Sequence, residues 1–388
     1  MTPAARIAAA IAILDQVLAG QPAEQTLLRW SRSSRYAGSG DRAAVRDLVF
    51  DALRCRDSHA ALGGALTGRG LMIGGLRAAG QDPAAFFTGK AHAPAALSPG
   101  ERPCDAPCQS PVEARILPDI PYWIRPLWNA SLGGDADAVA NLMRQRAPVW
   151  LRVNPIKADP ARATSCLADE GIAAQPDPRL PTALRLTANE RRLTRSRAYA
   201  GGLVELQDLS PQLACAALLV KPGARVLDYC AGGGGKTLAV AGRAPGLVLT
   251  AHDAEPARMR DLPRRAERAG VRVRLADRPQ GRFDLVIADV PCSGTGTWRR
   301  SPDAKWRLTQ AALDGLVTLQ ARILREVAPL VDRGGHLAYM TCSVLGVEND
   351  SQADRFLADH PDFREVSRRL WTPLDASDGF FLSLMART

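Results

Sequence analysis

Four consecutive glycines between a predicted strand and a predicted helix constrain the fold of this chain more than any other feature. The apolar run Arg225–Tyr229 leads into them, and Lys236 and Thr237 follow at the start of the helix. Glycines at such a turn let the backbone approach a ligand closely, and the first turn of a helix leaves backbone N–H groups without partners. The sequence therefore predicts a ligand-binding turn over 230–237.

From residue 201 onward, short apolar runs alternate with segments of helix or loop length. The runs are Arg225–Tyr229, Leu247–Asp253, Val271–Ala276, Phe283–Asp289 and His336–Thr341. This alternation is typical of a doubly wound, mostly parallel sheet, so we predict an α/β, Rossmann-like fold for residues 201–388. The run Gly379–Arg387 is predicted to be a last strand, at an antiparallel edge of that sheet.

Upstream of this region, the pattern predicts first helices and then a mixture. Apolar residues recur at helical spacing over 7–18, and a second helical stripe follows Asp41, the candidate N-cap. A stretch rich in Ala, Pro and Gly over 89–111 predicts a linker or a long loop. Beyond it lie candidate helices over 137–146 and 160–170 and candidate strands over 149–153 and 183–186. We thus expect an all-α domain with its linker over 1–115 and a small α+β subdomain over 116–200.

The composition indicates a folded chain with a polyanionic partner. Hydrophobic residues make up 46% and charged residues 23%, which excludes a mostly disordered chain. Fifty Lys and Arg against forty Asp and Glu give a formal net charge of +10, which suits nucleic acid. Arginines are dense over 179–197, where they predict either an exposed loop or an edge that contacts phosphates.

Several kinds of site and location are not expected. No uncharged run approaches the roughly 20 residues that a membrane span needs, and no targeting signal is recognisable. Eight cysteines in 388 residues are too few for a disulfide framework, so a reducing cytoplasm is expected. Cys104 and Cys108 lack a partner pair at zinc-ligand spacing, so no metal site is predicted. We expect a monomer, because no apolar stripe remains for an interface.

Two nucleotide-binding patterns compete for the glycine turn. A phosphate-binding P-loop requires a glycine five residues before Gly235, and Cys230 stands there instead. The alternative is a nucleoside cradle, in which an acid at the end of the next strand binds ribose hydroxyls. Asp253 fits that position. Asp277, which ends the third predicted strand, is either a polar group facing adenine or a helix cap or turn residue.

A second pattern places two cysteines at the ends of neighbouring strands. Cys292 follows the strand that ends at Asp289, and Cys342 follows the strand His336–Thr341. Because the carboxyl ends of parallel strands share one edge of a sheet, both cysteines are expected close together and near the glycine turn. The alternatives are two small buried side chains or a redox pair.

Together these motifs resemble those of the Sun/Fmu/RsmB family of S-adenosylmethionine-dependent RNA cytosine carbon-5 methyltransferases, in its bacterial branch. The matching segments are LDYCAGGGGKT, DVPCSGTGTWRRSPDAKWR, YMTCSVLGVEND and the closing DGFF. Upstream, WLRVNPIK at 150–157 resembles the start of that family's small RNA-binding subdomain, and GDRAAVRDLVFDALR at 40–54 resembles its NusB-like helical domain. The resemblance implies methylation of structured RNA, with small-subunit ribosomal RNA favoured over tRNA or DNA.

Two other functions stay open at this point. One is a non-catalytic ribosome-assembly factor that uses the same surface, although the presence of both cysteines and Asp289 argues against it. The other is a nicotinamide-dependent oxidoreductase, although no Tyr-x-x-x-Lys pair stands at the mouth of the predicted sheet.

The resemblance also implies a role for each site residue. Cytosine carbon 5 is a poor nucleophile, so a thiolate must first add at carbon 6, and Cys342 is the implied nucleophile. Cys292 would assist proton removal or release, Asp289 would contact the base, and Lys236 would favour the thiolate or orient the base. The implied cofactor-binding residues are Asp228, Cys230, Ala231, Gly232, Gly233, Gly234, Gly235, Lys236, Asp253, Arg258, Asp277 and Asp289.

Two further expectations concern this chain in particular. The family's glycine loop usually reads CAAPGGKT, so Gly233 stands where a proline is expected, and a freer backbone there would weaken cofactor affinity. Aromatic and basic residues alternate directly after the Asp289 motif, which predicts a rim that binds an RNA strand, with burial of the tryptophans as the alternative. These residues are Trp298, Arg299, Arg300, Lys305, Trp306 and Arg307.

Overall fold

The computed structural model describes residues 1–102 and 119–388, and these divide into two compact units. The first unit comprises Met1–Pro126, Gly133–Arg146 and Trp298–Leu308, and the second comprises Leu127–Leu132, Ala147–Thr297 and Thr309–Thr388. The three-domain division stays a prediction, and its boundary at 115 lies outside the described residues. Cys104 and Cys108 also lie outside them.

The helices are bounded as follows. They are α1 Pro3–Leu18, α2 Ala23–Ser33, α3 Ser39–Arg54, α4 Arg56–Gly63, α5 Gly68–Ala78, α6 Arg125–Leu132, α7 Ala136–Met143, α8 Pro160–Ala168, α9 Arg197–Ala200, α10 Leu209–Ala216, α11 Gly235–Ala241, α12 Leu262–Ala269, α13 Pro302–Arg307, α14 Gln310–Val327 and α15 Asp350–Asp359. Within the described ranges, no helix has both the length and the apolar character needed to cross a membrane.

The strands of the described residues form two sheets. They are β1 Trp150–Val153, β2 Ala173–Asp177, β3 Leu180–Ala188, β4 Val204–Leu206, β5 Arg225–Asp228, β6 Val248–Ala251, β7 Val273–Leu275, β8 Phe283–Asp289, β9 Val331–Thr341, β10 Phe363–Trp371 and β11 Phe380–Arg387. The first four build an antiparallel sheet in the order β2-β3-β1-β4, and the other seven build a sheet in the order β10-β11-β9-β8-β5-β6-β7.

The first unit is helical, as its apolar spacing predicts. Apolar residues of α1, α3 and α5 are fully buried against one another, among them Leu14, Val45 and Leu71. The predicted N-cap of α3 is wrong. The helix begins at Ser39 with Gly38 as its N-cap, and the Asp41 side chain instead accepts a hydrogen bond from the Gly38 backbone N–H at 3.1 Å.

The segment 298–308 belongs to this helical unit, and the prediction of an exposed RNA-binding rim is wrong for three of its residues. Trp298 and Lys305 are each only 1% exposed, and Arg299 is also buried. The Lys305 ammonium donates to the Arg54 carbonyl at 3.0 Å, and the Trp306 indole donates to the Leu53 carbonyl at 2.7 Å. These carbonyls lie in the last turn of α3, which has no intrahelical donors for them and favours a nearby cation.

The second unit contains the predicted Rossmann-like sheet, and this α/β fold is confirmed. Strands β9, β8, β5, β6 and β7 are parallel to one another, so their carboxyl ends share one edge. The predicted position of β11 is wrong in one respect. It is antiparallel, but it lies between β9 and β10 rather than at the edge. The first seven residues of β11 are all buried, whereas most residues of β10, the outer strand, are exposed.

Candidate active site

Asp228 connects the end of β5 to the helix that follows the glycines. Its Oδ2 accepts hydrogen bonds from the Thr237 backbone N–H at 3.0 Å and the Thr237 hydroxyl at 2.6 Å. Burial raises the pKa of the Asp228 carboxyl to about 6. Its other oxygen, Oδ1, is buried and accepts no hydrogen bond from any described residue. The strand end therefore presents a buried acceptor beside the glycine turn.

Two of the four glycines have a backbone conformation that other residues rarely adopt. Gly232 has a φ of 49° and Gly234 a φ of 78°, both in the left-handed region. The Gly234 N–H donates to the Ala231 carbonyl at 2.8 Å, which closes the turn. A side chain at Gly234 would lie only 2.1 Å from a methyl carbon of Leu262, so α12 packs directly on this loop.

The end of β6 is joined to the glycine turn by Asp253. This buried carboxylate accepts a hydrogen bond from the Gly232 N–H at 2.9 Å and lies 3.3 Å from the guanidinium of Arg258. The Ala231 N–H donates to the His252 carbonyl at 2.8 Å, and Cys230 is half-buried beside it. Burial raises the pKa of the Cys230 thiol, so it stays protonated. Asp253, Arg258 and the glycines thus form one contiguous surface.

Asp277 is the predicted cofactor residue that the structure does not bring to this surface by contact. It is exposed, two residues beyond the last residue of β7. Among the described residues, no hydrogen bond or ion pair connects its carboxylate to the glycine turn. It shares only the edge of the sheet with the other candidates.

Asp289 and Lys236 form an ion pair at the same edge. Asp289 is the last residue of β8, and Lys236 stands in the first turn of α11. The Lys236 ammonium also lies 5.3 Å from the centre of the Phe380 ring. Burial lowers the pKa of Lys236, but the Asp289 carboxylate outweighs burial and raises it. The lysine therefore stays charged next to the carboxylate.

The two cysteines meet beyond the ends of β8 and β9. Their sulfur atoms are 3.3 Å apart, and both side chains are half-buried. The hydrogen bond to Cys342, together with burial, raises the pKa of Cys292 well above its ordinary value. Both effects favour the protonated form of the Cys292 thiol.

A buried carboxylate, Glu348, holds the two cysteine loops together. It accepts hydrogen bonds from the Ser293 backbone N–H at 2.8 Å, from the Ser343 hydroxyl at 2.5 Å and from the Gln320 side chain at 2.9 Å. It also accepts one from the Ser293 hydroxyl. Ser293 and Ser343 directly follow the two cysteines, so this single side chain fixes both loops. The Thr295 hydroxyl adds a contact of 2.9 Å to that of Ser343.

Sequence reasoning did not assign Glu348 a role. The residue lies in the segment YMTCSVLGVEND, but nothing in a single sequence distinguishes a buried glutamate in a loop from an exposed one. The sequence also carries no signal for Gln207 and Arg265, which contact the glycine turn, or for Glu205, which pairs with Arg265.

Two protein-family models match the chain. Residues 215–384 match the family described as 16S rRNA methyltransferase RsmB/F, and residues 120–191 match the ferredoxin-like domain of the RsmF/B-like methyltransferases. Over these two segments the chain is similar to the RsmB/F family. The family predicted from the glycine, aspartate and cysteine motifs is thereby confirmed.

Curated relatives of this chain carry the name ribosomal RNA small subunit methyltransferase B. The protein of Xanthomonas campestris is 34% identical over 290 residues, which cover 69% of this chain and 66% of that protein. The protein of Xylella fastidiosa is 37% identical over 247 residues, which cover 61% of this chain and 57% of that protein. The matched region thus spans less than two thirds of either relative.

Solved structures of proteins with low sequence identity to this chain share its fold. The crystal structure of PH0851 has a TM-score of 0.78 at 22% identity and covers 100% of this chain and 99% of that one. A methyltransferase homologue from Pyrococcus horikoshii has a TM-score of 0.59 at 24% identity, over 72% of this chain and 95% of that one.

Proposed function

We propose that this protein transfers a methyl group from S-adenosylmethionine to carbon 5 of a cytidine in RNA. The observation that carries the proposal is the pair of sulfurs of Cys292 and Cys342, 3.3 Å apart, on strand ends neighbouring the Asp289–Lys236 ion pair. Methylation of an oxygen or of an amine needs no thiol, because these atoms carry their own lone pairs. Methylation at cytosine carbon 5 needs a nucleophile that first adds at carbon 6.

The residues around the glycine turn fit the cofactor. The two left-handed glycines keep side chains out of the cradle, and the buried Asp228 Oδ1 leaves an acceptor there without a protein donor. Asp253 at the end of β6 suits ribose hydroxyls. S-adenosylmethionine bound here supplies the methyl group. Asp277 is proposed for the adenine end from its place at the sheet edge, as are Cys230 and Arg258 for the rim of the cradle.

The cysteines and the ion pair account for the work done on the base. The Cys342 thiolate forms a bond to carbon 6, which makes carbon 5 nucleophilic. When the carbon 5 proton is lost to water, its bonding electrons form the double bond between carbons 5 and 6, and the bond between Cys342 and carbon 6 breaks. Cys292 assists this release of Cys342. Asp289 accepts hydrogen bonds from the cytosine amine, and Lys236 holds Asp289 in place. The base must leave its stack to reach these groups.

Structured RNA is the proposed substrate class, with small-subunit ribosomal RNA first. The name of the curated relatives supports this choice, and so does the net charge of +10. Within the arginine-rich stretch, Arg179 is paired with Asp177, whereas Arg185, Arg192 and Arg195 are exposed and available for phosphates. A cytoplasmic monomer without a metal is part of the same proposal.

The experiment is methyl transfer from labelled S-adenosylmethionine to separate pools of RNA. The pools are small-subunit rRNA, large-subunit rRNA, tRNA and intact small subunits, each digested to nucleosides afterwards. We expect labelled 5-methylcytidine from small-subunit rRNA, free or assembled. Label confined to tRNA would overturn the substrate, and cofactor binding with no label in any pool would overturn the chemistry.

A further inference from the structure

We propose that Arg265, anchored by Glu205, positions the glycine loop for the cofactor without touching the cofactor itself. The inference rests on the proposed binding of S-adenosylmethionine at this loop. It concerns a residue on α12, outside every motif that the sequence singles out. It also gives a physical role to Gly233, the position where the loop departs from the family pattern.

Gly233 and Arg265 fit one another because the glycine has no side chain. A Cβ atom at position 233 would lie 2.7 Å from Nη1 of Arg265, closer than such atoms approach. The guanidinium occupies that space and donates a hydrogen bond to the Gly233 carbonyl. A hydrogen bond from a charged donor is roughly twice as strong as one between neutral groups. The contact therefore restrains the backbone of Gly233, which as a glycine is conformationally permissive.

The Arg265 guanidinium is itself held by a buried carboxylate. Glu205 on β4 is 6% exposed, and its Oε1 lies 3.5 Å from Nη2 of Arg265. Its other oxygen accepts a hydrogen bond from Arg268 at 2.6 Å, and the Arg268 guanidinium lies 4.2 Å from the centre of the Tyr199 ring. Because Glu205 is shielded from solvent, salt screens these pairs less than it screens surface pairs. Gly233 and Glu205 thus hold the two terminal nitrogens of the Arg265 guanidinium.

A second contact, from the residue that follows β4, restrains the loop two residues further along, at Gly235. Gln207 lies two residues beyond Glu205, on the same side of an extended chain. Its Nε2 donates to the Gly235 carbonyl at 3.3 Å, and its Oε1 accepts a hydrogen bond from Arg152 at 2.7 Å. Residues 205–207 therefore restrain two carbonyls of the loop, one through Arg265 and one directly.

This arrangement orders the loop before the cofactor arrives. Four glycines lose more conformational entropy on ordering than any other four residues, and a loop that is ordered only on binding subtracts that cost from the affinity. With the Gly233 and Gly235 carbonyls restrained from behind, the cost is met on folding instead. Loss of Arg265 should therefore weaken cofactor binding more than it slows the chemical step.

The test compares Arg265→Ala with the matched control Arg264→Ala, which removes the neighbouring exposed arginine of the same helix. Cofactor affinity is measured by calorimetry with S-adenosylmethionine, and KM and kcat are measured on the methyl-accepting RNA. We expect Arg265→Ala to raise Kd and KM for the cofactor by about tenfold, with kcat at saturating cofactor within about twofold. Arg264→Ala should match the wild type, and Arg265→Lys should recover part of the affinity.

Two results would overturn the inference. The first is an Arg265→Ala protein that binds the cofactor as tightly as wild type, which leaves the proposed function intact. The second is wild-type protein that binds no S-adenosylmethionine, which overturns the proposed function as well. Should Arg265→Ala unfold, Glu205→Gln keeps the guanidinium and loosens only its anchor. It should raise Kd by about threefold, and an unchanged Kd there would count against the inference.

Discussion

The cysteine loops and the glycine loop meet at one edge of the sheet, yet they are held in different ways. Glu348, at the centre of the cysteine loops, is fully buried and accepts hydrogen bonds from both loops. The glycine loop is held by the buried Asp253 together with Arg265 and Arg258, which are partly exposed; the Arg258 side chain is 50% exposed. The cysteine loops are therefore fixed by one buried carboxylate, whereas the glycine loop is restrained in part by side chains that reach solvent.

This difference fits the tasks proposed for the two loops. Two sulfur atoms must keep their separation while a base enters and leaves, and buried hydrogen bonds to a charged group are costly to break. The cofactor is exchanged in every cycle, and the half-exposed Arg258–Asp253 pair beside it contributes about 1 kcal/mol or less. Substitutions in the two regions should therefore act on different measured quantities.

Removal of the proposed nucleophile tests the cysteine region most directly. Cys342→Ser should lower methyl transfer by roughly 10⁴-fold, because a serine hydroxyl is a far weaker nucleophile than a thiolate. Calorimetry should show the same Kd for S-adenosylmethionine as in wild type. Activity near the wild-type level would remove Cys342 from the mechanism, and a lost affinity would show that the two regions are not separable.

Cys292→Ala removes one of the two sulfurs and so tests the role of Cys292 apart from that of Cys342. This variant should still form the bond between Cys342 and carbon 6 but release the RNA slowly, so a protein–RNA adduct should accumulate. Denaturing gels with substrate RNA and cofactor would show it as a slow-migrating band, with Cys342→Ser as the control that forms none. Absence of the band would contradict the release role of Cys292.

Glu348→Gln weakens the buried network while preserving its shape. In the wild type, the donors around Glu348 share two carboxylate oxygens, whereas a glutamine amide offers only one acceptor oxygen. We therefore expect the free energy of unfolding to fall by about 3 kcal/mol. Urea unfolding measures this loss. Asp359→Asn, at an exposed site on α15, is the control and should change stability by less than about 0.5 kcal/mol. A Glu348 variant as stable as that control would show that the cysteine loops are not locked from within.

Asp228, beside the glycine loop, makes a pH-dependent contribution to stability. Its pKa in the folded protein, about 6, exceeds the ordinary value of 3.8, so the folded state keeps a proton that the unfolded chain loses. Its contribution to stability therefore falls as the pH rises from about 4 to about 6, by about 2 kcal/mol in total. Asp228→Asn should remove this fall. Urea unfolding at pH 4, 5, 6 and 7 compares the two proteins, and parallel profiles would contradict the raised pKa.

Arg258→Ala should have the smallest effect of the series. The Arg258–Asp253 pair is half exposed, and such pairs contribute about 1 kcal/mol or less. We expect the cofactor Kd to rise by about twofold and stability to stay unchanged. A rise of more than about tenfold would show that the outer ion pairs, not the inner hydrogen bonds, dominate this part of the site.

The part of the site that the sequence predicts follows from strand order. Asp228, Asp289 and Cys342 each lie at or just beyond the end of an apolar run, and parallel strands bring such ends to one edge. Glu348, Glu205 and Arg265 act through contacts between distant parts of the chain, which spacing does not encode. Glu348 and Ser293, for example, are in contact although 55 residues separate them.

Two of the three wrong expectations have the same origin. Trp298 and Lys305 belong to a pattern of aromatic and basic residues that suits an RNA surface and suits equally the end of a helix with unpaired carbonyls. The apolar run of β11 fits an edge strand and an inner strand alike. Only the register with β9 and β10 decides between them.

The inner position of β11 determines when the second edge of β9 is covered during synthesis. Strand β9, whose end carries Cys342, pairs with β8 on one side and with β11 on the other. During synthesis β9 leaves the ribosome about 40 residues before β11 does, and over that interval its second side is an open edge able to pair with another chain. Strand β9 therefore keeps one open edge in the nascent chain until residues 380–387 have emerged.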